Sequence, residues 1–324
     1  MNISTLYQHM NQLLSKTLAP STTRTYNGAF QDYLRFCHLY NLTALPVHET
    51  NLMLFVTHIS ATSVSNVKIH ISAVKHFAAY LVGQHRSHYP RLYMLVRSIK
   101  RRAKKGPKRS PVTLAGLKLI YSFIDSMSWP QADKIMLWAA VTTAFFGFLR
   151  SSEYVSPQTH KYDPESTLCF EDVAYRHPNF HIKIKTSKTD PFREGCTICI
   201  SPSGAQICPV RNLLTYINQR KIKTGPLFTY MDNSLLTRRR LNSLLKNAIP
   251  SSKASPVSSH SLRIGAATTA ASGGFPRWLI QQLGRWTSDC FRSYIQIPTT
   301  TFEHVSRTLA TTIKEGDQFD PDLA

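Results

Sequence analysis

Apolar residues recur every three or four positions through the first hundred residues, as on a helix with one buried face. Val67, Ile71, Val74 and Leu81 form the clearest stripe. The spacing predicts four helices, which begin at Pro20-Ser21, near residue 48, after Ser63 and near residue 89. The last of them runs to about residue 102. This part of the chain is therefore predicted to be a small all-helical domain.

The second half of the chain combines helical spacing with one stretch of strict alternation. Phe180, Ile182 and Ile184 alternate with polar residues, which predicts a strand, and Cys196 to Ile200 is a second strand after a turn at Thr189-Asp190-Pro191. Helices are predicted at residues 113–124, 131–146, 209–222, 236–248, 260–272, 275–283 and 289–296. The predicted fold class is mainly α (α+β), with a small antiparallel sheet in the second domain.

A basic run from Lys100 to Pro111 separates the two patterns. Gly106, Pro107 and Pro111 interrupt helices, so the run is predicted to be a linker, and it also fits a nuclear localisation signal. We divide the chain into a helical domain (1–99), a linker (100–111), a second domain (112–314) and an acidic tail predicted to be disordered (315–324).

The charge is strongly one-sided. Lys and Arg number 39 against 18 Asp and Glu, a net charge of +21, and between Thr50 and Ile124 there are 13 basic residues and no acidic one. Such an excess favours a polyanion or an anionic membrane surface as partner. No apolar run approaches the roughly 20 residues that span a bilayer. We therefore expect a soluble intracellular protein that binds DNA through Lys68, Lys75, Arg97, Lys100, Arg101, Arg102, Lys104, Lys105, Lys108 and Arg109.

The six cysteines do not form a recognisable metal or disulfide pattern. Cys196, Cys199 and Cys208 suggest zinc, but no fourth Cys or His follows at ligand spacing. Buried free thiols in a reducing compartment are the better interpretation. We expect no metal or other cofactor, no small-molecule substrate and no membrane contact.

The candidate chemistry lies in the segment His260 to Tyr294. His260 and Arg263 are one helical turn apart, so both side chains can face one small anion, and Arg150 follows an apolar run upstream. Guanidinium groups bind phosphate oxygens in bidentate fashion. A nearby tyrosine, Tyr294, can then attack phosphorus and conserve the bond energy in a phosphotyrosine link.

Two further residues complete this hypothesis. Lys188 can protonate the departing sugar oxygen, although Lys183 and Lys185 lie close in sequence and are alternatives. His260 can serve in acid–base work or donate to the phosphate, and the indole N–H of Trp286 can hold a phosphate oxygen. Each residue alone has an ordinary structural explanation; their order in the chain favours one shared site.

These residues resemble the constellation of the tyrosine recombinases of the phage-integrase family. It contains, in order, Arg, Lys, His-x-x-Arg, His or Trp, and Tyr. The matching segments are GFLRSSEY, KTSKTD, HSLR and LGRW, followed by Tyr294. The resemblance covers roughly residues 20 to 300. It implies a helical SAM-like core-binding domain and a mixed, mainly helical catalytic domain, and it makes Glu153 a supporting carboxylate that holds an active-site histidine in place.

Two departures from the family pattern concern the end of the site. Trp286 replaces the commoner histidine, and Tyr294 follows it by eight residues rather than the more usual nine. The segments GRWTSDCFRSYIQ, SKTDPFREG and CPVRNLLTY look most like the Crypton and DIRS recombinases of eukaryotic mobile elements. That likeness implies a nuclear protein.

The resemblance implies site-specific DNA cleavage and rejoining through a 3′-phosphotyrosine intermediate, without metal or ATP. It also implies a homotetramer on two sites of double-stranded DNA, with the segment Thr299 to Ile313 as a helix that docks on a neighbouring subunit or on its own domain. A silent DNA-binding protein derived from a mobile element and a monomeric type IB-like topoisomerase are the alternatives.

Overall fold

A computed structural model of the chain describes residues 2–84, 88–104, 106–187, 190, 193–250 and 256–295. The chain divides into two compact units, Met1–Gly106 and Pro107–Ala324. Lys105, Lys188, the segment Thr299 to Ile313, which was predicted to be a helix, and the acidic tail lie outside the described residues.

The first unit is all-helical. Its helices are α1 (Ile3–Ser15), α2 (Pro20–Leu39), α3 (Glu49–Ser60), α4 (Val67–Val82) and α5 (Pro90–Arg102). The proline at the first position of α2 and α5 suits a helix start, because its missing N–H would have no partner there. Helix α4 ends at Gly83, whose φ of 62° is the left-handed conformation that glycine adopts most easily.

Aromatic side chains fill the core of the first unit. The rings of Phe30 and Phe77 stack with centroids 4.6 Å apart, and Tyr33 meets Phe55 edge-on at 5.2 Å. The Tyr33 hydroxyl donates a hydrogen bond to the Ala44 carbonyl, which satisfies its one polar group inside the core. Helix α1 contributes no buried residue.

The second unit surrounds a small sheet with helices. They are α6 (Leu114–Ser126), α7 (Gln131–Phe146), α8 (Ser151–Tyr154), α9 (Pro209–Gln219), α10 (Arg238–Ala248), α11 (Ser259–Ser272) and α12 (Arg277–Leu283). Short 3₁₀ turns occupy Phe170–Asp172 and Asp289–Ser293. The described residues after 288 thus form a 3₁₀ turn, where the sequence predicted an α-helix over 289–296.

The three strands of the sheet are antiparallel, in the order β1 (Val173–Arg176), β2 (Asn179–Ile184), β3 (Cys196–Ile200). Phe180 pairs with Ile200, and Ile184 pairs with Cys196. Phe180, Ile182 and Ile184 are buried, as their alternation predicted. The fold is mainly α with one small antiparallel sheet, which confirms the predicted class.

Helices α7 and α11 form the centre of the second unit and are buried on most sides. The backbone of the segment before α6 lies against α11, where the Val112 amide donates a hydrogen bond to the Ser261 carbonyl. A Cβ at Gly265 would lie 1.8 Å from the Val112 carbonyl oxygen, so only glycine permits this approach. This packing fixes the helix that carries His260 and Arg263.

The cysteines are only partly as predicted. Cys37, Cys169 and Cys208 are buried, but Cys196, Cys199 and Cys290 are exposed. Cys199 lies on the face of β3 opposite Ile198 and Ile200, which pack on the core, and Cys196 is exposed at the first position of the strand. In the part of the chain that the structure describes, no group of three His, Cys, Asp or Glu side chains is placed to hold a metal ion. None of the described helices combines the length and apolar character of a bilayer span.

Candidate catalytic site and DNA-binding surface

Arg150 lies at the start of α8, where the chain leaves the buried helix α7 through a turn. Its backbone N–H donates to Oε2 of Glu153 over 2.8 Å, which caps the helix. Its guanidinium lies 3.1 Å from Oε1 of the same carboxylate, and the side chain is 14% exposed. A three-residue spacing within one turn therefore fixes Arg150 at the edge of solvent.

Arg263 is fully buried on α11. Its guanidinium donates to two backbone carbonyls, those of Phe148 and Gly284. It also lies over the ring of Trp286, 4.3 Å from the centroid, in a cation–π contact. Burial, followed by the charges of Arg150 and Arg285, lowers its pKa to about 9. The guanidinium is still protonated at neutral pH, and its orientation is set by the backbone on either side.

His260 lies one turn before Arg263 and contacts Tyr294. The two rings meet edge-on with centroids 5.1 Å apart. Burial of the imidazole, and then the positive charges of Arg109 and Arg263, lower its pKa to about 4. His260 is consequently neutral at neutral pH, so one ring nitrogen is available as a proton acceptor.

Trp286 and Tyr294 complete a contiguous cluster with these residues. Their rings have centroids 5.0 Å apart, and the guanidinium of Arg263 is 5.9 Å from the Tyr294 ring. Trp286 is 5% exposed, whereas Tyr294 is half-buried. The backbone carbonyl of Tyr294 accepts a hydrogen bond from the Thr268 hydroxyl of α11. The tyrosine is thus held beside the histidine and arginine of its own chain.

Gly284 makes the close packing at this end of the site possible. A Cβ at this position would lie 1.6 Å from an atom of the Trp286 ring. The same residue supplies the carbonyl that accepts from Arg263. The glycine of LGRW therefore lets the indole and the guanidinium stack.

The sequence analysis missed one member of the site, Arg285. Its guanidinium lies 2.7 Å from Oε2 of Glu153, which is almost fully buried. It also donates to the carbonyls of Gly147 and Phe148, each over 3.3 Å. The family resemblance gave Glu153 a histidine partner, but its observed partners are two arginines, Arg150 and Arg285. The signal that could have identified Arg285 is its place nine residues before Tyr294.

The lysine of the site is the least defined member. Lys188 lies outside the described residues, and of its two alternatives Lys183 is exposed on β2. Lys185 forms an ion pair with Asp172, with Nζ 2.7 Å from the carboxylate. Burial disfavours the charged form of Lys185, but this ion pair outweighs it and the pKa of Lys185 is raised.

Five of the predicted DNA-binding residues line one groove of the first unit, between α4 and α5. We call it the basic groove; its volume is about 760 Å³ and its cations are Lys68, Lys75, Arg97, Lys100 and Arg101. Loss of hydration and the nearby Lys68 ammonium lower the pKa of Lys100. The cations lie between apolar and aromatic side chains, and Lys75 lies over the Tyr89 ring.

Four further predicted cations flank, in sequence, the boundary between the two units. Arg102 ends α5, and Arg102, Lys104 and Lys108 are exposed. Arg109 is exposed and close enough to His260 to lower the pKa of its imidazole. Arg109 therefore belongs electrostatically to the site in the second unit, whereas the sequence grouped it with the linker.

The arrangement suits a tetrahedral or pentacoordinate phosphate. We call Arg150, Arg263, Arg285 and the carboxylate of Glu153 the guanidinium cluster. Three cations against one anion leave a net positive charge in a mostly buried site, and a half-buried phenol lies beside it. Fixed cations of this kind stabilise negative charge that develops in a transition state.

Known proteins resemble this chain in sequence and in fold. No model of a known protein family matches the sequence. An integrase/recombinase XerD homolog of Selenomonas ruminantium is 25% identical over 292 residues, which cover 85% of this chain and 81% of the relative.

Solved structures share the fold at lower identity. A lambda integrase tetramer bound to a Holliday junction matches with a TM-score of 0.60 and 13% identity, over 99% of this chain and 80% of that one. XerH recombinase bound to its palindromic difH substrate, in a post-cleavage complex, has a TM-score of 0.59 and 17% identity, over 90% and 79%. The Tn1549 transposon integrase in complex with circular intermediate DNA has a TM-score of 0.59 and 12% identity, over 92% of this chain and 98% of that one. The chain therefore has the fold that these integrase and recombinase structures share.

Proposed function

We propose that this protein is a site-specific DNA recombinase that cleaves and rejoins double-stranded DNA through a 3′-phosphotyrosine intermediate. The observation that carries the proposal is the position of Tyr294. Its ring contacts both His260 and Trp286, and it lies 5.9 Å from the buried guanidinium of Arg263. A nucleophile, a neutral base and a fixed cation are thus adjacent in one unit.

The proposed reaction begins with attack of the Tyr294 hydroxyl oxygen on phosphorus. The phenol proton passes to an acceptor, and the neutral imidazole of His260 is suited to take it. The bond from phosphorus to the 5′ oxygen breaks, and Lys188 donates a proton to that oxygen. The products are a 3′-phosphotyrosine and a free 5′-hydroxyl, and the reverse reaction rejoins a strand.

Charge on the phosphate is met by Arg150 and Arg263 in this proposal. Arg263 is held by two backbone carbonyls, so no reorganisation is needed as charge develops. Trp286 lies beneath the Arg263 guanidinium, and its indole N–H is a further donor. These groups supply the positive charge for which other phosphoryl-transfer enzymes use a metal ion, and the reaction is proposed to need neither metal nor ATP.

Lys188 is proposed as the acid over its two neighbours. Lys185 is bound to Asp172, and its raised pKa makes it a poorer proton donor. Lys183 is exposed on β2, opposite Thr197. Single substitutions of Lys188 and of Lys183 with glutamine test which of the two is the acid.

The first unit and the linker are proposed to bind the DNA that the second unit cuts. The basic groove supports this role, because phosphate contacts come mainly from Lys and Arg. The tetramer bound to a Holliday junction among the similar folds supports a tetramer on two sites here. We further propose the Crypton and DIRS subgroup, a mobile-element origin and a nuclear location, on the motifs and the basic run.

Covalent trapping tests the proposal. Wild type, Tyr294→Phe and the control Tyr121→Phe are incubated with a pool of nicked, mixed-sequence duplexes in EDTA and resolved on a denaturing gel. Tyr121 is an exposed tyrosine of the same unit, outside the cluster. We expect a DNA-linked band for wild type and Tyr121→Phe and none for Tyr294→Phe.

Other outcomes identify the alternatives. Salt-sensitive DNA binding without any adduct indicates a silent DNA-binding protein. Relaxation of supercoils that is linear in protein concentration and independent of sequence indicates a monomeric topoisomerase. An adduct that survives Tyr294→Phe refutes the assigned nucleophile.

A further inference from the structure

The side chain of Arg285 is mostly removed from solvent, although it carries a charge. Its backbone has a φ of 54°, in the left-handed region that residues other than glycine seldom adopt. Only 12% of the side chain is exposed. Removing a guanidinium from water is unfavourable unless good partners compensate. Glu153 and two backbone carbonyls are those partners.

The spacing of the chain gives Arg285 a special position. Tyr294 follows Trp286 by eight residues but follows Arg285 by nine, the interval that the family resemblance gives to its histidine or tryptophan. The contact of the supporting carboxylate is consistent with this spacing, because Oε2 of Glu153 lies 2.7 Å from the Arg285 guanidinium. The irregular spacing of Trp286 and the unexpected partner of Glu153 are both explained if Arg285 occupies that position.

Arg285 is also connected to both arginines proposed to bind phosphate. Each Glu153 oxygen binds one guanidinium, Oε1 that of Arg150 and Oε2 that of Arg285. The Phe148 carbonyl accepts from Arg285 and from Arg263. Without Arg285, Glu153 is left to neutralise Arg150 alone, and the net charge of the guanidinium cluster falls by one.

We infer that Arg285 is a positioning residue, which holds Arg150 through Glu153 and Arg263 through the Phe148 carbonyl. It stands where the resemblance places a histidine or tryptophan and supplies a permanent positive charge there. Trp286 has a separate role as the surface on which Arg263 and Tyr294 pack. This inference rests on the proposed recombinase function.

A guanidinium differs from a histidine at this position in its response to pH. An arginine keeps its charge throughout the working range, whereas an unperturbed imidazole gains a proton only below about pH 6.5. Arg285→His therefore converts a constant charge into one that depends on pH. A side chain needed only for packing would not give this response.

The test compares Arg285→Gln, Arg285→His and Arg285→Lys with wild type. Arg292→Gln is the control, because Arg292 is an exposed arginine of the following 3₁₀ turn that pairs with Asp289. The single-turnover rate of adduct formation is measured from pH 5.5 to 8.5, and each variant is expressed as a ratio to wild type at the same pH. DNA affinity and the melting temperature are measured alongside.

We expect Arg285→Gln to slow adduct formation by about 100-fold, a typical effect of a small displacement of the groups that stabilise the transition state. DNA affinity is expected to change by less than about threefold, because most phosphate contacts lie elsewhere. Arg285→Lys, which keeps the charge, is expected to be partly active. The ratio for Arg285→His should rise as the pH falls, because the Glu153 carboxylate favours the protonated imidazole.

Two results overturn the inference. One is an Arg285→Gln rate close to that of wild type, and the other is an Arg285→His ratio that matches Arg285→Gln at every pH. If Arg285→Gln does not fold, the charged variants Arg285→His and Arg285→Lys decide the question.

Failure of the proposed function gives a different result, namely no adduct with wild type. Stabilisation by inorganic phosphate then tests the charge at this position. Phosphate should raise the melting temperature of wild type and of Arg292→Gln more than that of Arg285→Gln. Equal increases refute the inference.

Discussion

Positive charge is exposed in the basic groove of the first unit and buried in the guanidinium cluster of the second. The groove contains three lysines and two arginines and no acidic side chain among the residues that line it. The cluster contains only arginines, together with the buried carboxylate of Glu153. Both regions are therefore positively charged, but they differ in exposure, in residue type and in the presence of a carboxylate.

Hydration explains the contrast. Ammonium groups at the surface keep more of their water than buried groups do, and the charge of Lys68 disfavours that of Lys100 until a polyanion neutralises it. A buried guanidinium loses its hydration and is held by fixed acceptors, as Arg263 is by two carbonyls. The groove is suited to affinity without exact geometry, and the cluster to one orientation of one phosphate.

The same substitution in the two regions gives the largest expected difference. In Arg263→Lys, one ammonium cannot reproduce the planar donors that reach both Phe148 and Gly284. We expect adduct formation to fall by about 100-fold or more. The free energy of unfolding is expected to fall by about 2–4 kcal/mol, because buried acceptors lose their partners.

Arg97→Lys in the basic groove is the counterpart. An ammonium still neutralises phosphate, so adduct formation and unfolding in urea should change by less than about threefold and about 0.5 kcal/mol. Comparable losses in the two variants would show that orientation matters no more in the cluster than in the groove.

The response of His260 to acid gives a second, smaller test of the buried charge. Its folded pKa is about 4, lowered by burial and then by Arg109, while an unfolded histidine has about 6.5. The unfolded state thus binds more protons between these values, and stability must fall as the pH decreases from 6.5 towards 4. Because the ring is partly exposed, we expect a contribution on the order of 1 kcal/mol.

Urea unfolding of wild type and His260→Gln at pH 7.5 and 4.5 measures this contribution. Carboxylates titrate in both proteins, so only the difference between them reports on His260. Wild type should lose more stability on acidification than the variant. An equal loss would mean that burial and the cations of the site do not lower the pKa of His260.

Local spacing made part of this site predictable. Arg150 with Glu153, and His260 with Arg263, are three residues apart on a helix or helix start, so each pair is fixed by the helical repeat. The contact between Glu153 and Arg285 joins residues 132 positions apart and depends on how the turn after α12 lies against the turn between α7 and α8. No periodicity in the sequence reports that contact.

The fold shows the same limit. The strand β2 was predicted because it is buried on one face and alternates, but β1 has mostly exposed residues and so lacks a pattern. The α-helix predicted after residue 288 had apolar spacing in Phe291 and Tyr294. These side chains pack against Trp286 from a 3₁₀ turn. Tertiary contacts therefore determine both β1 and the 3₁₀ turn.

The smallest expected effect concerns a single lysine of the basic groove. Lys68→Gln removes one exposed charge and relieves the repulsion with Lys100, so the fold should not be destabilised. If Lys68 neutralises one phosphate, the slope of log K against log salt should fall by about 0.9, and affinity should fall equally for all sequences.

Lys221→Gln is the control, since Lys221 is exposed in the second unit and outside the groove. Fluorescence anisotropy between 50 and 200 mM salt, on the order of the usual range, measures both slopes. An unchanged slope for Lys68→Gln would remove Lys68 from the DNA-binding surface, and a loss confined to one DNA sequence would mean that the groove reads bases.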